Sequence, residues 1–243
     1  MSNPSAAMLV IGDEILSGRT RDSNMHHLAC ELAKRGIDLR EVRMIADEPE
    51  AIQSAVKALA AAYDHVFTSG GIGPTHDDIT ADNVAAAFGT TAPQRADALA
   101  LLAAHYARQG MEFTEARKRM ARVPEGATLI ENPVSIAPGF TYKNVHVLAG
   151  VPTVFQAMVA SVLADVAEGA PLLSQSLRVM RGEGDIADPL ADLAAAHPEL
   201  SIGSYPFQQG GVFGSNIVIR GSDGAAVDGA MRELAALFPE ACE

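Results

Sequence analysis

The chain has 243 residues, of which 48% are apolar and 5% aromatic, with no Trp; this suits helices packed on a sheet better than an all-β sandwich. Its 30 Asp and Glu against 18 Lys and Arg give a net charge of -12, which repels polyanions and excludes nucleic acid as the expected partner. No run approaches the roughly 20 apolar residues of a membrane span, and Ala6 to Ile11 is too short for a signal-peptide core, so a cytoplasmic protein with no membrane partner is expected.

Met8 to Ile11 reads as a buried strand, and Asp22 or Ser23 starts a helix carrying Leu28 and Leu32 on one face until Gly36 stops it. Leu39 to Ile45 is a second strand. Asp47 with Glu50 three residues on resembles a capping box for a helix bearing Ile52, Ala55, Val56 and Leu59. His65 to Thr68 is a third strand. Helical patterns follow from Thr80 to Phe88, Ala96 to Gln109 and Thr114 to Ala121, then strands from Ile136 to Tyr142 and Val145 to Ala149 about a Lys143-Asn144 hairpin. After Gly150-Val151-Pro152 a helix runs to about Glu168, and Gly169-Ala170-Pro171 marks a boundary. The remainder reads strand (Leu172 to Arg181), helix (Ile186 to Ala196), strand (Leu200 to Pro206), strand (Gly211 to Arg220) and helix (Ala225 to Phe238), an α+β order.

Strands joined by helices of this length form right-handed βαβ units, so the first three strands are expected to be parallel with their carboxyl ends on one edge. Gly12-Asp13-Glu14, Asp47-Glu48 and Ser69 to Pro74 fall at that edge, where an open α/β sheet places its ligand. Glycines at 70, 71 and 73, between a strand and a helix, suit the approach of backbone N–H groups to a phosphate, although no Walker A Lys-Ser or Lys-Thr pair and no GxGxxG spacing is present. Carboxylates at Asp13, Glu14, Asp47, Asp77 and Asp78 would repel that phosphate. A divalent cation on hard oxygen ligands reconciles the two, which makes these four aspartates candidate metal ligands or base. Taken singly, Asp47 and Asp78, like Thr80, read as helix caps, and Gly70-Gly71 as a turn; their coincidence at one edge reads as a site.

Four blocks in order, "GDEILSGRTRDSN" (Gly12 to Asn24), "TSGGIGPTHDDIT" (Thr68 to Thr80), "ENPVSIAPGF" (Glu131 to Phe140) and "AGVP" (Ala149 to Pro152), resemble the signatures of the CinA family N-terminal domain. "GEGDIADPL" (Gly182 to Leu190) and "GSYPF" (Gly203 to Phe207) resemble stand-alone members of that family. Ser135 and Ala149 depart from it, standing where many relatives have Gly and Pro.

The resemblance implies a three-layer, doubly wound, mostly parallel α/β domain of the MoaB/Mog-like, molybdopterin-binding type over 1–170, followed by a small C-terminal α+β subdomain over 171–243. It implies a site in which Asp47 and Asp78 act with Mg2+ (Mn2+ or Co2+ in its place). Phosphate contacts are implied at Gly12, Ser69, Gly70, Gly71, Gly73, Thr75, Pro138 and Gly139. The implied activity is hydrolysis of a dinucleotide pyrophosphate such as ADP-ribose or FAD. Adenylyl transfer to molybdopterin, and binding of a pterin or nucleotide without turnover, are the alternatives. A homo-oligomer, dimer or trimer, is also implied, and the amidase domain of longer relatives is not expected.

Arg117, Lys118, Arg119 and Arg122 form the densest basic cluster, readable as a solvated helix face or as an anion-binding wall. His26 and His27 read as helix surface, His76 lies near the glycine loop, and Glu183 and Asp185 read as a surface turn. Cys30 and Cys242 lack metal-ligand spacing and are expected as reduced thiols.

Overall fold

A computed structural model of the chain describes residues 3–209 and 211–239. Residues up to Gly169 form one compact unit and those from Ala170 a second. In the first, β1 (Ser5–Ile11), α1 (Asp13–Leu16), α2 (Asn24–Lys34), β2 (Asp38–Ile45), α3 (Pro49–Ala62) and β3 (His65–Ser69) are followed by α4 (Thr80–Ala87), α5 (Ala96–Arg108) and α6 (Glu115–Lys118). The chain then makes a short 3-10 turn (Arg119–Ala121) and continues through β4 (Thr128–Ile130), β5 (Gly139–Tyr142), β6 (Val145–Leu148) and α7 (Pro152–Leu163).

The sheet order is β2-β1-β3-β6-β5-β4, parallel across β2, β1, β3 and β6 and antiparallel beyond. β1 explains the layering. Its alternate residues Ala7, Leu9 and Ile11 pack with Ile52, Val56, Leu59 and Val84 on one face, while Ala6, Met8 and Val10 pack with Leu28, Leu32, Phe155 and Met158 on the other. A strand buried on both faces reads as an uninterrupted apolar run because neither side meets water. Each large side chain removed from water there contributes roughly 1.5–3 kcal/mol.

The expected doubly wound α/β class is what the structure shows, with several differences in its elements. The helix after β2 has Glu48, not Asp47, as N-cap, and makes no side-chain capping bond. Pro49 at its first position forces the preceding residue into extended backbone, so the cap moves one residue on. β5 starts at Gly139 rather than Ile136, because Ile136 adopts φ 64 and leaves the extended region. α7 ends at Leu163, short of Glu168. β4, whose three residues carry too little periodicity to be read, was missed.

In the second unit β7 (Leu173–Val179), α8 (Glu183–Ala196), β8 (Ser201–Gln209), β9 (Val212–Gly221) and α9 (Gly224–Leu237) form an antiparallel sheet in the order β7-β9-β8. Leu177, Val179, Ile217 and Ile219 of the sheet pack with Ile186, Leu193, Val227, Ala230 and Leu234 of the helices. Glu183 and Asp185 occupy the first turn of α8 rather than a surface loop, where acidic side chains suit the helix dipole, and Glu183 accepts a hydrogen bond from Ser204 Oγ at 2.7 Å.

Candidate functional site

The register aligns the carboxyl ends of the parallel strands: Ile11 lies opposite Ile45, Val10 opposite Ser69, and Ser69 opposite Leu148. The next residues of each strand therefore emerge at one edge. β1 connects outward to β2 on one side while β3 leads to β6 on the other, so the strand order reverses between β1 and β3. Loops at such a switch point part and leave a crevice. A cleft of about 570 Å3 lies there, lined by Gly12, Glu14 and Thr20 after β1, Asp47 after β2, the 70–78 loop after β3, and Gly150 to Pro152 after β6. Met120, Asn132, Ser135 and Ala137 close its far wall.

The loop after β3 is held by α4. Thr80, fully buried, donates its hydroxyl to Gly70 O and its N–H to Gly71 O, both at 3.0 Å. Gly70 and Gly71 have φ 109 and φ 69, a region open to glycine, and a Cβ at Gly71 would collide with the Thr80 hydroxyl. The strictness of Gly71 is thus set by the protein's own packing, and its missing side chain does not point to the ligand space. Neither Asp78 nor Thr80 caps α4, whose N-cap is Ile79. The Asp78 carboxylate instead turns back on its own loop, accepting the Thr75 N–H at 2.7 Å and the Thr75 hydroxyl. It lies against the loop: a Cβ at Gly73 would fall 2.7 Å from Asp78 Oδ2.

Across the cleft, Asp47 Oδ2 accepts the Asp13 N–H at 3.0 Å, and Asp13 Oδ1 accepts the Asp47 N–H at 3.4 Å. Burial raises the Asp47 carboxyl above its ordinary value; the Asp13 N–H opposes this, and the charges of Asp13, Glu14 and Asp77 add to it. No Lys or Arg is among the lining residues. Arg122 braces the rim from behind, donating to Asp82 and, at 2.6 Å, to Asp78 O.

Of the residues expected at the site, Gly12, Asp47, Gly70, Gly71, Gly73, Thr75, Asp77 and Asp78 line the cleft. Asp13 stands behind Asp47 as its hydrogen-bond partner. Ser69 is buried behind the loop and accepts from Asn24 Nδ2 at 2.9 Å, the same amide donating to Gly150 O at 2.8 Å. Pro138 and Gly139 are placed elsewhere. Neither lines the cleft; Gly139 is a strand residue whose Cβ would collide with Val147 O and Met158 Cε, so it serves close packing.

Glu14, expected at this sheet edge, also lines the cleft, whereas Thr20, Met120, Asn132 and Gly150 were not expected as site residues. They come from elements far apart in sequence, and only Asn132 carried a local signal, the turn-forming Asn-Pro pair. Its side chain builds the wall, accepting the N–H groups of Val134 and Ser135 and donating to Ser135 Oγ and Ala137 O. Ser135 has no positive φ, so glycine is not required there. His26 and His76 are exposed, His27 is half-buried on α2, Cys30 is an exposed free thiol, and Cys242 lies outside the described residues.

No three His, Cys, Asp or Glu side chains among the described residues converge closely enough to chelate a metal ion by themselves. The donors here are hard carboxylate oxygens with no opposing cation in the lining. They suit the mode in which Mg2+ takes one or two carboxylates and completes its shell with water and substrate phosphate.

Residues 7–169 match the family model described as probable molybdopterin binding domain. The chain belongs to this family. Residues 171–243 match a second model, FAD synthase, middle domain. The CinA protein of Thermoplasma acidophilum shares 32% identity and its crystal structure superposes with a TM-score of 0.62, over 68% of this chain and 99% of that one. The CinA-like resemblance of the four sequence blocks is therefore upheld in the fold. A protein of Pyrobaculum calidifontis is 33% identical over 84% of this chain and 81% of its own length. A probable FAD synthase of Caenorhabditis elegans is 31% identical over 96% of this chain, which spans 50% of that protein. No described helix is long and apolar enough to cross a membrane.

Proposed function

We propose that this molybdopterin-binding-domain protein hydrolyses the phosphoanhydride of a small nucleotide-containing molecule, with ADP-ribose and FAD as the substrates to test first. One observation carries the reading: Glu14, Asp47, Asp77 and Asp78 share a cleft with a glycine loop at the strand-order reversal, and no cationic side chain lines it. Burial first, and then the charges of Asp13, Glu14 and Asp77, raise the proton affinity of Asp47, whereas the Thr75 hydroxyl holds the exposed Asp77 carboxyl below its ordinary value; a cation offsets charge gathered in this way.

Asp77 and Asp78 would hold the divalent ion, Mg2+ with Mn2+ or Co2+ as substitutes, and Asp47 lines the same cleft within reach of the Asp77 charge. When bound, the ion offsets phosphate charge and acidifies coordinated water. Asp47, whose carboxyl binds a proton more readily than an ordinary aspartate, accepts the proton of the attacking water. The new P–O bond forms as the bridging P–O bond breaks, giving two phosphomonoesters. The loop at Gly70 to Gly73 presents backbone to the phosphates, and Asp13 orients Asp47 through its N–H.

The family description favours a second reading, in which molybdopterin is the ligand and the cleft either transfers an adenylyl group to it or binds it without turnover. Product formation from ADP-ribose or FAD with added Mg2+, Mn2+ or Co2+ separates the two. Turnover lost in Asp78→Asn with folding retained is the expected result. No product with any of the three metals, together with a thermal shift on adding molybdopterin, overturns the hydrolase reading in favour of the second. The proposed homo-oligomer, a dimer or trimer, is checked by sedimentation across micromolar concentrations; a monomer throughout rejects it.

A further inference from the structure

An edge strand presents backbone N–H and C=O groups to any further strand unless something blunts it. Of the four sheet edges among the described residues, three are blunted. β2 carries Asp38, Arg40, Glu41 and Arg43, and its register against β1 jumps from Leu39 to Glu41. β4 has three residues, and β8 has Pro206, which lacks an N–H, within it. β7 has none of these devices. Its seven residues contain no Pro and a single charge, Arg178, whose guanidinium lies 4.0 Å from the centre of the Phe207 ring. They pair with β9 without a register shift, from Leu173 opposite Gly221 to Val179 opposite Ser215, and Leu173 to Ser176 are exposed.

The residues along this edge also complement themselves. Leu177 and Val179 pack with the helices of the second unit, so the alternate positions Leu172, Ser174, Ser176, Arg178 and Met180 belong to the opposite face. Leu172 and Met180, flanking the strand at equal distance from Ser176, are 44% and 43% exposed. We infer that β7 pairs antiparallel with β7 of a second copy of this chain about a two-fold axis at Ser176, joining two three-stranded sheets into one of six strands. Each Leu172 then lies opposite Met180 of the other copy, Leu173 opposite Val179 and Ser174 opposite Arg178, so exposed apolar side chains meet and no like charges do. Moving the axis to Gln175 or Leu177 separates Leu172 from Met180. Because both copies use the same edge, the contact closes at two chains and gives a dimer, not a trimer. This assigns a surface and a symmetry to the proposed homo-oligomer and does not depend on the chemistry of the cleft.

The test is sedimentation equilibrium of the full chain, wild type and Ser176→Lys, across micromolar concentrations, with circular dichroism of each. Ser176 is exposed, so a single chain accommodates Lys there, whereas at the axis the substitution sets two like charges against each other. The expected result is a dimer for wild type, a dissociation constant raised about ten-fold or more for Ser176→Lys, and unchanged circular dichroism. A wild type that stays monomeric overturns both this inference and the homo-oligomer. A trimer, or a Ser176→Lys protein that dimerises as wild type does, overturns the β7 contact and leaves the homo-oligomer in place. A second measurement decides if Ser176→Lys fails to fold: with Cys30→Ser and Cys242→Ser in the background, a short bifunctional maleimide should join two Ser176→Cys chains much faster than two Ser174→Cys chains, because only residue 176 meets itself across the axis. Equal reaction of the two, or none at Ser176→Cys, overturns the inference.

Discussion

The N–H of Asp13 donates to the Asp47 carboxylate at 3.0 Å while the N–H of Asp47 donates to the Asp13 carboxylate at 3.4 Å, a reciprocal clasp between the loops after β1 and β2. Asp47→Asn retains an acceptor for the Asp13 N–H, so the clasp and the fold persist. The substitution removes a charge whose folded-state carboxyl is raised above the ordinary 3.8. A raised carboxyl binds its proton more tightly in the folded state, so it favours folding at low pH, and that contribution is lost as pH rises from 3.8 through the raised folded value. At neutral pH the ligand-free Asp47→Asn protein should therefore melt at or above wild type while metal-dependent turnover disappears. A lower melting temperature would show that the Asp47 charge is structural.

Gly71→Ala should destabilise the protein by about 1–3 kcal/mol, since it places a side chain at φ 69 and drives a methyl group into the Thr80 hydroxyl. The loss should appear with and without ligand. In a Thr80→Ala background, where the hydroxyl is gone, Gly71→Ala should cost less, and a double-mutant cycle by chemical denaturation measures the difference. Strict additivity would show that backbone conformation alone, and not Thr80, holds this loop.

Ile136, between the cleft-lining Ser135 and Ala137, is β-branched and adopts φ 64, its N–H donating to Asn132 O at 3.0 Å. Left-handed backbone costs a residue bearing Cβ roughly 1–2 kcal/mol. Ile136→Gly and Ile136→Asn should each raise the unfolding free energy by roughly 0.5–1 kcal/mol, the gain being reduced because each removes a half-buried apolar side chain. Ile136→Ala, which keeps Cβ and lacks the short polar side chain through which Asn tolerates this region, should give no gain. Equal effects from Ala and Asn would rule out backbone strain as the cause.

His146 is buried, with its Nδ1 2.9 Å from Thr141 Oγ1 and its Nε2 3.2 Å from Nδ1 of His65, and burial, aided by the neighbouring His65, holds it down to about 3. Burial lowers His65 as well. Both imidazoles are neutral in the fold and each gains a proton more readily when unfolded. Stability is thus complete above the ordinary histidine value of 6.5 and falls as pH drops below it, with a slope for His146 approaching about 1.4 kcal/mol per pH unit. His146→Gln should flatten the acid limb of a denaturation series between about pH 6.5 and 4. Parallel curves for the two proteins would place the acid sensitivity elsewhere.

Much of this was legible along the chain. β1 shows both faces buried because apolar residues follow one another without a polar break, and the parallel order of β1, β2 and β3 follows from the helices between them. That order alone brings Gly12, Asp47 and the Gly70 to Asp78 loop to one edge, so the acidic and glycine-rich halves of the cleft were readable from short segments. Tertiary structure decided the rest, because those properties belong to pairs of residues distant in sequence. Nothing local to Gly139 distinguishes a packing glycine from a phosphate contact; its neighbours Val147 and Met158 do. The proton affinity of Asp47 depends on burial and on Asp13, Glu14 and Asp77 meeting it in space. The far wall of Met120, Asn132 and Ser135, and the unpartnered Arg119 Nε behind it, exist only once the chain has closed over the sheet.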